Sequence, residues 1–176
     1  MFDPVKLEVE YIEWSNKNFG EVKYIDKSFK YAHQPLLGMI EEFGELLEAE
    51  TYEEKFDAIG DIVIFMIDYC RCINISYFEI YSPNFYISEY FDILNSDIRS
   101  RIMKVLAKIA HHHLKFEQNI RKNENHSVEV YRLLVYLYYL LYRFSAANDI
   151  VFEECIQTTW GHVKQRNWKN DKVKEE

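Results

Sequence analysis

The sequence predicts an all-α bundle of about five to six helices, and three observations carry that expectation. Apolar residues recur three and four apart through the stretch from Leu36 to Leu47, the spacing that gathers them on one side of a helix. Gly 5 and Pro 3 are few for 176 residues, so the turn residues that a many-stranded sandwich or barrel needs are missing. Helix-start signals also stand in front of several segments. At 48% hydrophobic, the chain can build one sizeable core but not two. A single domain over residues 1–168 is expected, with a flexible tail at 169–176.

Asp3 before Pro4 reads as an N-cap followed by proline at the first helical position, and Gly20 ends that segment, so a first helix is expected over Pro4 to Phe19. Lysine-bearing Glu21 to Lys30 reads as a loop. Leu36, Met39, Ile40, Phe43 and Leu47 form the apolar stripe of a second helix from Pro35 to Glu50. Thr51 and Glu54 have the spacing of a capping box, which starts a third helix running to Ile73. Asn74 to Asn95 holds seven aromatic residues around Ser82-Pro83-Asn84 and reads as an excursion packed on the bundle or on another subunit. Ser96 is expected to cap a fourth helix through Lys122, Ser127 a fifth through Asn148, and Asp149 opens a last one ending near Arg166.

Charge and composition exclude several function classes. The formal net charge of −8 argues against non-specific nucleic-acid binding. Residues 1–96 carry 19 acidic and 7 basic side chains, whereas residues 97–176 carry 10 acidic and 14 basic, so an acidic half must meet a basic half. The acidic amino terminus is unlike a signal peptide, and the apolar run from Leu133 to Tyr142 is far short of the ~20 residues that span a bilayer. A soluble cytoplasmic protein with no membrane partner is expected. Cys70, Cys72 and Cys155 lack the second pair of a zinc site and read as reduced core thiols.

The stretch GMIEEFGELLEAE places five glutamates in the second helix, with Glu42 and Glu45 on adjacent turns of one side. Alone, that pattern is most often a solvated face. The third helix changes the balance, because apolar residues cover most of FDAIGDIVIFMIDYC. Its acids Asp57, Asp61 and Asp68 fall within an arc of roughly 40°. Ionised carboxylates on a buried helix need cations, since desolvating each costs several kcal/mol. Either basic side chains or metal ions supply them. An antiparallel hairpin of the two helices would set Glu42 and Glu45 against Asp61, with Asp57 or Asp68 flanking, and such an all-oxygen cluster suits Mg²⁺ or Mn²⁺. No E-x-x-H occurs, so the di-iron bundle signature is absent.

EEFGELLEA followed by DAIGDIVIFMIDYC resembles the MazG-like all-α nucleoside triphosphate pyrophosphohydrolases, marked by E-x-x-E and then E-x-x-D on the next helix. Glu42 and Glu45 match the first pair and Asp61 the closing aspartate. Ala58 stands where the third glutamate usually lies, with Asp57 one residue earlier, and Gly38 where many members carry lysine. WSNKNFG and WGHVKQRNWK are similar to stretches near the two ends of many members, so the likeness covers about half the chain.

The resemblance implies a Mg²⁺-dependent cleavage between the α and β phosphates, giving a nucleoside monophosphate and pyrophosphate. Glu42, Glu45 and Asp61, with Asp57 or Asp68, would hold the metal, and Glu41 would serve as general base beside Glu42. It also implies a homodimer or larger assembly. Two other readings share these residues: a helical regulatory protein that has lost turnover, and a relative acting on dUTP, dCTP or phosphoribosyl-ATP.

On the fourth helix, Lys108, His111, Lys115, Gln118 and Lys122 share one face, with Arg121 beside it. H-x-x-K-x-x-Q-x-I-R is similar to a stretch carried by a subset of the family. Lys115, Gln118, Arg121, Lys164 and Arg166 are the expected phosphate-binding residues; the other reading of the basic face is a solvated surface, or cations that pair the acids of the second and third helices. His111, His112 and His113 diverge by about 100° each, which argues against a histidine ligand set. Trp14 and the tyrosines of the fifth helix are able to stack a base, but aromatic residues at helical spacing are more often core.

Overall fold

In the computed structural model, residues 2–21, 31–81, 98–121 and 123–167 are described, and they form seven helices and no strand. These are α1 (Pro4–Phe19), α2 (His33–Glu48), α3 (Tyr52–Ile73), α4 (Tyr77–Tyr81), α5 (Ile98–Glu117), α6 (His126–Ala147) and α7 (Phe152–Val163). The all-α class is as expected from the sequence.

Local chemistry accounts for the best-placed boundaries. Asp3 accepts a hydrogen bond from the Lys6 N–H at the start of α1, while Gly20, at φ 89°, ends it. At α3 the Thr51 hydroxyl accepts from the Glu54 N–H and the Glu54 carboxylate accepts from the Thr51 N–H, a complete capping box. Other boundaries differ from expectation. The α2 stripe is Leu36, Met39, Phe43 and Leu46; Leu47 is 42% exposed, because the core sits one residue further round the helix. The fourth-helix cap expected at Ser96 lies outside the described residues. Its end comes at Glu117 rather than Lys122, because Asn119 and Arg121 adopt positive φ of 54° and 53° and reverse the chain. Asn125, not Ser127, caps α6 by accepting from the Val128 N–H. Asp149 lies in the left-handed region (φ 57°) before the last helix, so α7 opens later, after Val151, and ends at Val163. Within the aromatic excursion, Tyr77 to Tyr81 forms α4, whose rings meet Tyr138 of α6; residues 82–95 of that stretch lie outside the described residues.

The architecture is organised around α3. It pairs most extensively with α2 and α7 and also touches α1, α4 and α6, while α5 and α6 form a second hairpin. Twelve α3 residues are buried, among them Ile59, Ile62, Val63, Met66 and Ile67. Each such aliphatic side chain contributes about 1.5–3 kcal/mol by leaving water. Two glycines let the helices approach closely. A Cβ on Gly38 would stand 2.5 Å from the Phe65 ring, and one on Gly60 would collide with the Thr159 side chain of α7. Cys70, Cys72 and Cys155 are free and buried, as expected. No helix among the described residues is long and apolar enough to cross a membrane.

Candidate functional site

The α2–α3 hairpin turns through only Ala49 to Thr51, so the helices run antiparallel, and Gly38 meets Phe65 at their contact. That register sets Glu42 against Asp61. Glu42, Glu45 and Asp61 line one cavity of about 770 Å³. Aromatic side chains form much of the remaining wall, including Tyr11, Trp14 and Phe19 of α1, Tyr31 before α2, and Phe65 of α3, while Gln34, Asp68, Arg71 and Arg166 make it polar elsewhere.

Electrostatics identify the carboxylates that act together. The Glu42 pKa rises from 4.5 to about 7, first because burial penalises its charge and then through repulsion from Asp61, Glu45, Glu41 and Asp57. Asp61 rises from 3.8 to about 6, again chiefly by burial and then by the Asp57 charge; Arg166 and His162 oppose the shift. Four carboxylates from two helices therefore carry negative charge that nearby cations only partly offset. Ala58 is buried in the core, and the α3 acid that acts on Asp61 is Asp57, one residue earlier.

Asp68 has a different place. It stands seven residues beyond Asp61, roughly 10 Å along the helix axis. Its carboxylate takes a 2.9 Å hydrogen bond from Arg71 Nε and one from the Tyr11 hydroxyl, while Arg71 Nη1 reaches Asn16 at 3.5 Å. This network ties α1 to α3 and walls the same cavity, but it satisfies Asp68 within the protein. The i, i+3 spacing of Asp68 and Arg71 was legible in the sequence; the part played by Tyr11 was not.

The expected phosphate-binding residues separate. Arg166 lines the acidic cavity, held there because its carbonyl accepts from Trp14 Nε1 at 3.1 Å. Trp160 braces the same corner, donating to Glu10 at 2.9 Å and packing on Tyr11 and Trp14. Lys164 lies instead in a small cavity between α1 and α7. Lys115, Gln118 and Arg121 are not at the acidic cavity either, because the end of α5 turns toward α6. Lys115 Nζ is 3.5 Å from Gln118 Oε1, and Arg121 pairs with Glu124 at 3.7 Å. The three histidines diverge as expected: His111 faces Arg121, His112 meets His126, and His113 bonds the Tyr69 hydroxyl.

No protein-family model, no curated protein and no solved structure matches this chain. The functional reading therefore rests on the chain's own residues. Sequence reasoning left Tyr31, Gln34 and Phe65 out of the site, since nothing in their local pattern separates a cavity wall from a core or surface position. It left Trp14 undecided; the structure places it in the cavity wall.

Proposed function

We propose that the acidic cavity between α2 and α3 is the active site of a Mg²⁺-dependent nucleoside triphosphate pyrophosphohydrolase. The observation that carries this reading is that Glu42, Glu45 and Asp61 line one cavity, where Asp57 and Glu41 add negative charge that Arg166 and His162 offset only in part. The donors are all oxygen and come from two packed helices, the chemistry a hard cation takes; as placed, no three of them lie within 4.8 Å of one another, so the side chains would draw together around the ion. Glu42, Glu45, Asp61 and Asp57 would hold Mg²⁺. When bound, the ion supplies charge neutralisation for the phosphate oxygens. The MazG-like resemblance agrees with this assignment, with Asp57 acting in place of the glutamate that Ala58 replaces.

The remaining residues divide the substrate between them. Trp14, Tyr31 and Phe65 offer faces on which a base stacks, and the aromatic wall keeps water from the buried end. Arg166 would bind the phosphate tail and stabilise charge developing on the departing pyrophosphate. Glu41, exposed beside Glu42, would accept the proton of the attacking water. Lys115, Gln118 and Arg121 would reach a phosphate tail only from a second copy, in the homodimer or larger assembly that the resemblance implies.

The deciding experiment incubates the chain with ribo- and deoxynucleoside triphosphates, with and without Mg²⁺, and measures pyrophosphate. Metal-dependent release that falls by at least about a hundredfold in Glu42→Gln and Asp61→Asn supports the reading. Absence of release from every nucleotide, together with no Mg²⁺-dependent rise in melting temperature, sinks it.

A further inference from the structure

A second group of metal-ligating side chains lies at the other hairpin. The donor atoms of His112 on α5, Glu124 in the connection and His126 at the start of α6 all lie within 4.8 Å of one another. His112 Nδ1 is 3.1 Å from His126 Nδ1, and the latter is 3.8 Å from a Glu124 oxygen. Two nitrogens on one tetrahedral ion at ~2.0–2.1 Å stand about 3.3 Å apart, so the imidazoles already have the spacing of a shared ligand pair. A small rotation of the Glu124 side chain closes the third distance.

The orientation of His126 is the second observation. Its Nε2 is 3.2 Å from the Ile120 carbonyl, an acceptor only, so that nitrogen carries the proton. In the neutral ring Nδ1 then has its lone pair on the side of His112 and Glu124. A ring N–H given to a backbone carbonyl is the usual support of a metal-bound histidine. His126 is 6% exposed, and the Asn125 cap fixes where its helix begins. Arg121 holds the other Glu124 oxygen at 3.7 Å.

We infer that His112, Glu124 and His126 form a binding site for Zn²⁺ that clips α5 to α6 across their connection. Two imidazoles and one carboxylate suit a borderline cation, whereas Mg²⁺ prefers oxygen alone. Three protein ligands leave a fourth tetrahedral position. Glu124 and His126 also line a cavity of about 450 Å³ with Lys115, Asn119, Asn123 and Ser127, where water or a small anion completes the shell. The consecutive trio His111, His112 and His113 points in three directions and cannot share one ion. His112 finds its partner 14 residues away, after the chain has reversed.

The test titrates Zn²⁺ into the chelator-treated full chain in competition with a chromophoric chelator, then repeats the titration with Co²⁺ to read its visible absorption. One tight equivalent is expected, weakened at least about tenfold in both His112→Gln and Glu124→Gln and unchanged in His111→Gln. Both sensitive positions are partly exposed, so the variants should fold, and far-UV circular dichroism checks that they do. The inference is overturned if Zn²⁺ does not bind, if neither variant weakens it, or if His111→Gln weakens it equally. Loss of the tight equivalent in Glu42→Gln/Asp61→Asn would move the ion to the acidic cavity and overturn it as well.

Discussion

Glu42 and Asp61 make the residue-scale case that this fold carries a cost at its candidate site. Both titrate higher in the folded chain than in the unfolded one, Glu42 at about 7 and Asp61 at about 6, so the folded state binds more protons over the interval below. By linkage, their contribution to stability falls as pH rises, from about 4 up to about 7. Glu42→Gln and Asp61→Asn should therefore gain in melting temperature relative to the parent as pH is raised from 4 to 8 in chelator. A variant-to-parent difference that is flat with pH would contradict this. Metal binding should act in the opposite sense: Mg²⁺ stabilises the parent more at pH 8 than at pH 5, because the carboxylates must be ionised to hold it.

At the scale of elements, caps and close contacts decide where helices begin and how near they lie. Thr51 and Glu54 close the α3 start reciprocally, and α3 carries Asp57 and Asp61 in its first turns. Thr51→Ala should lower unfolding stability by about 1 kcal/mol in a urea titration, with no loss of overall helicity. The capping box, the proline start of α1 and the carboxylate pair on α2 were legible in the sequence because each is set by residues within four of one another. Leu46 in place of Leu47, and Asn125 in place of Ser127, were not. Neighbouring residues of similar type are separated only by the partner helix that one of them meets.

For the whole molecule, the site depends on the two ends of the chain meeting over the central hairpin. Trp14 on α1 and Trp160 on α7 pack together, and the Trp14 indole holds the Arg166 carbonyl. The α3–α7 contact that supports this corner passes through Gly60, where an added Cβ meets Thr159 and lies 3.1 Å from the Cys155 carbonyl. Thr159 is short and branched, so it has little freedom to yield. Gly60→Ala should cost about 1–3 kcal/mol by overpacking, and a thermal melt should show a drop of several degrees. An unchanged melt would mean that α7 shifts freely on α3.

The sequence by itself determined the helical class, the order of the long helices, the pairing of Glu42 with Glu45 on one side of the second and the stripe of Asp57, Asp61 and Asp68 on the third, because periodicity and caps act over a few residues. Only the tertiary structure decided which charges meet. Packing of α1 gave Asp68 to Arg71 and Tyr11, and the return of α7 brought Arg166 to Asp61. The reversal after α5 carried Lys115 away from the acids and His112 to His126. Such meetings depend on distances between segments far apart in the chain, which no local spacing records.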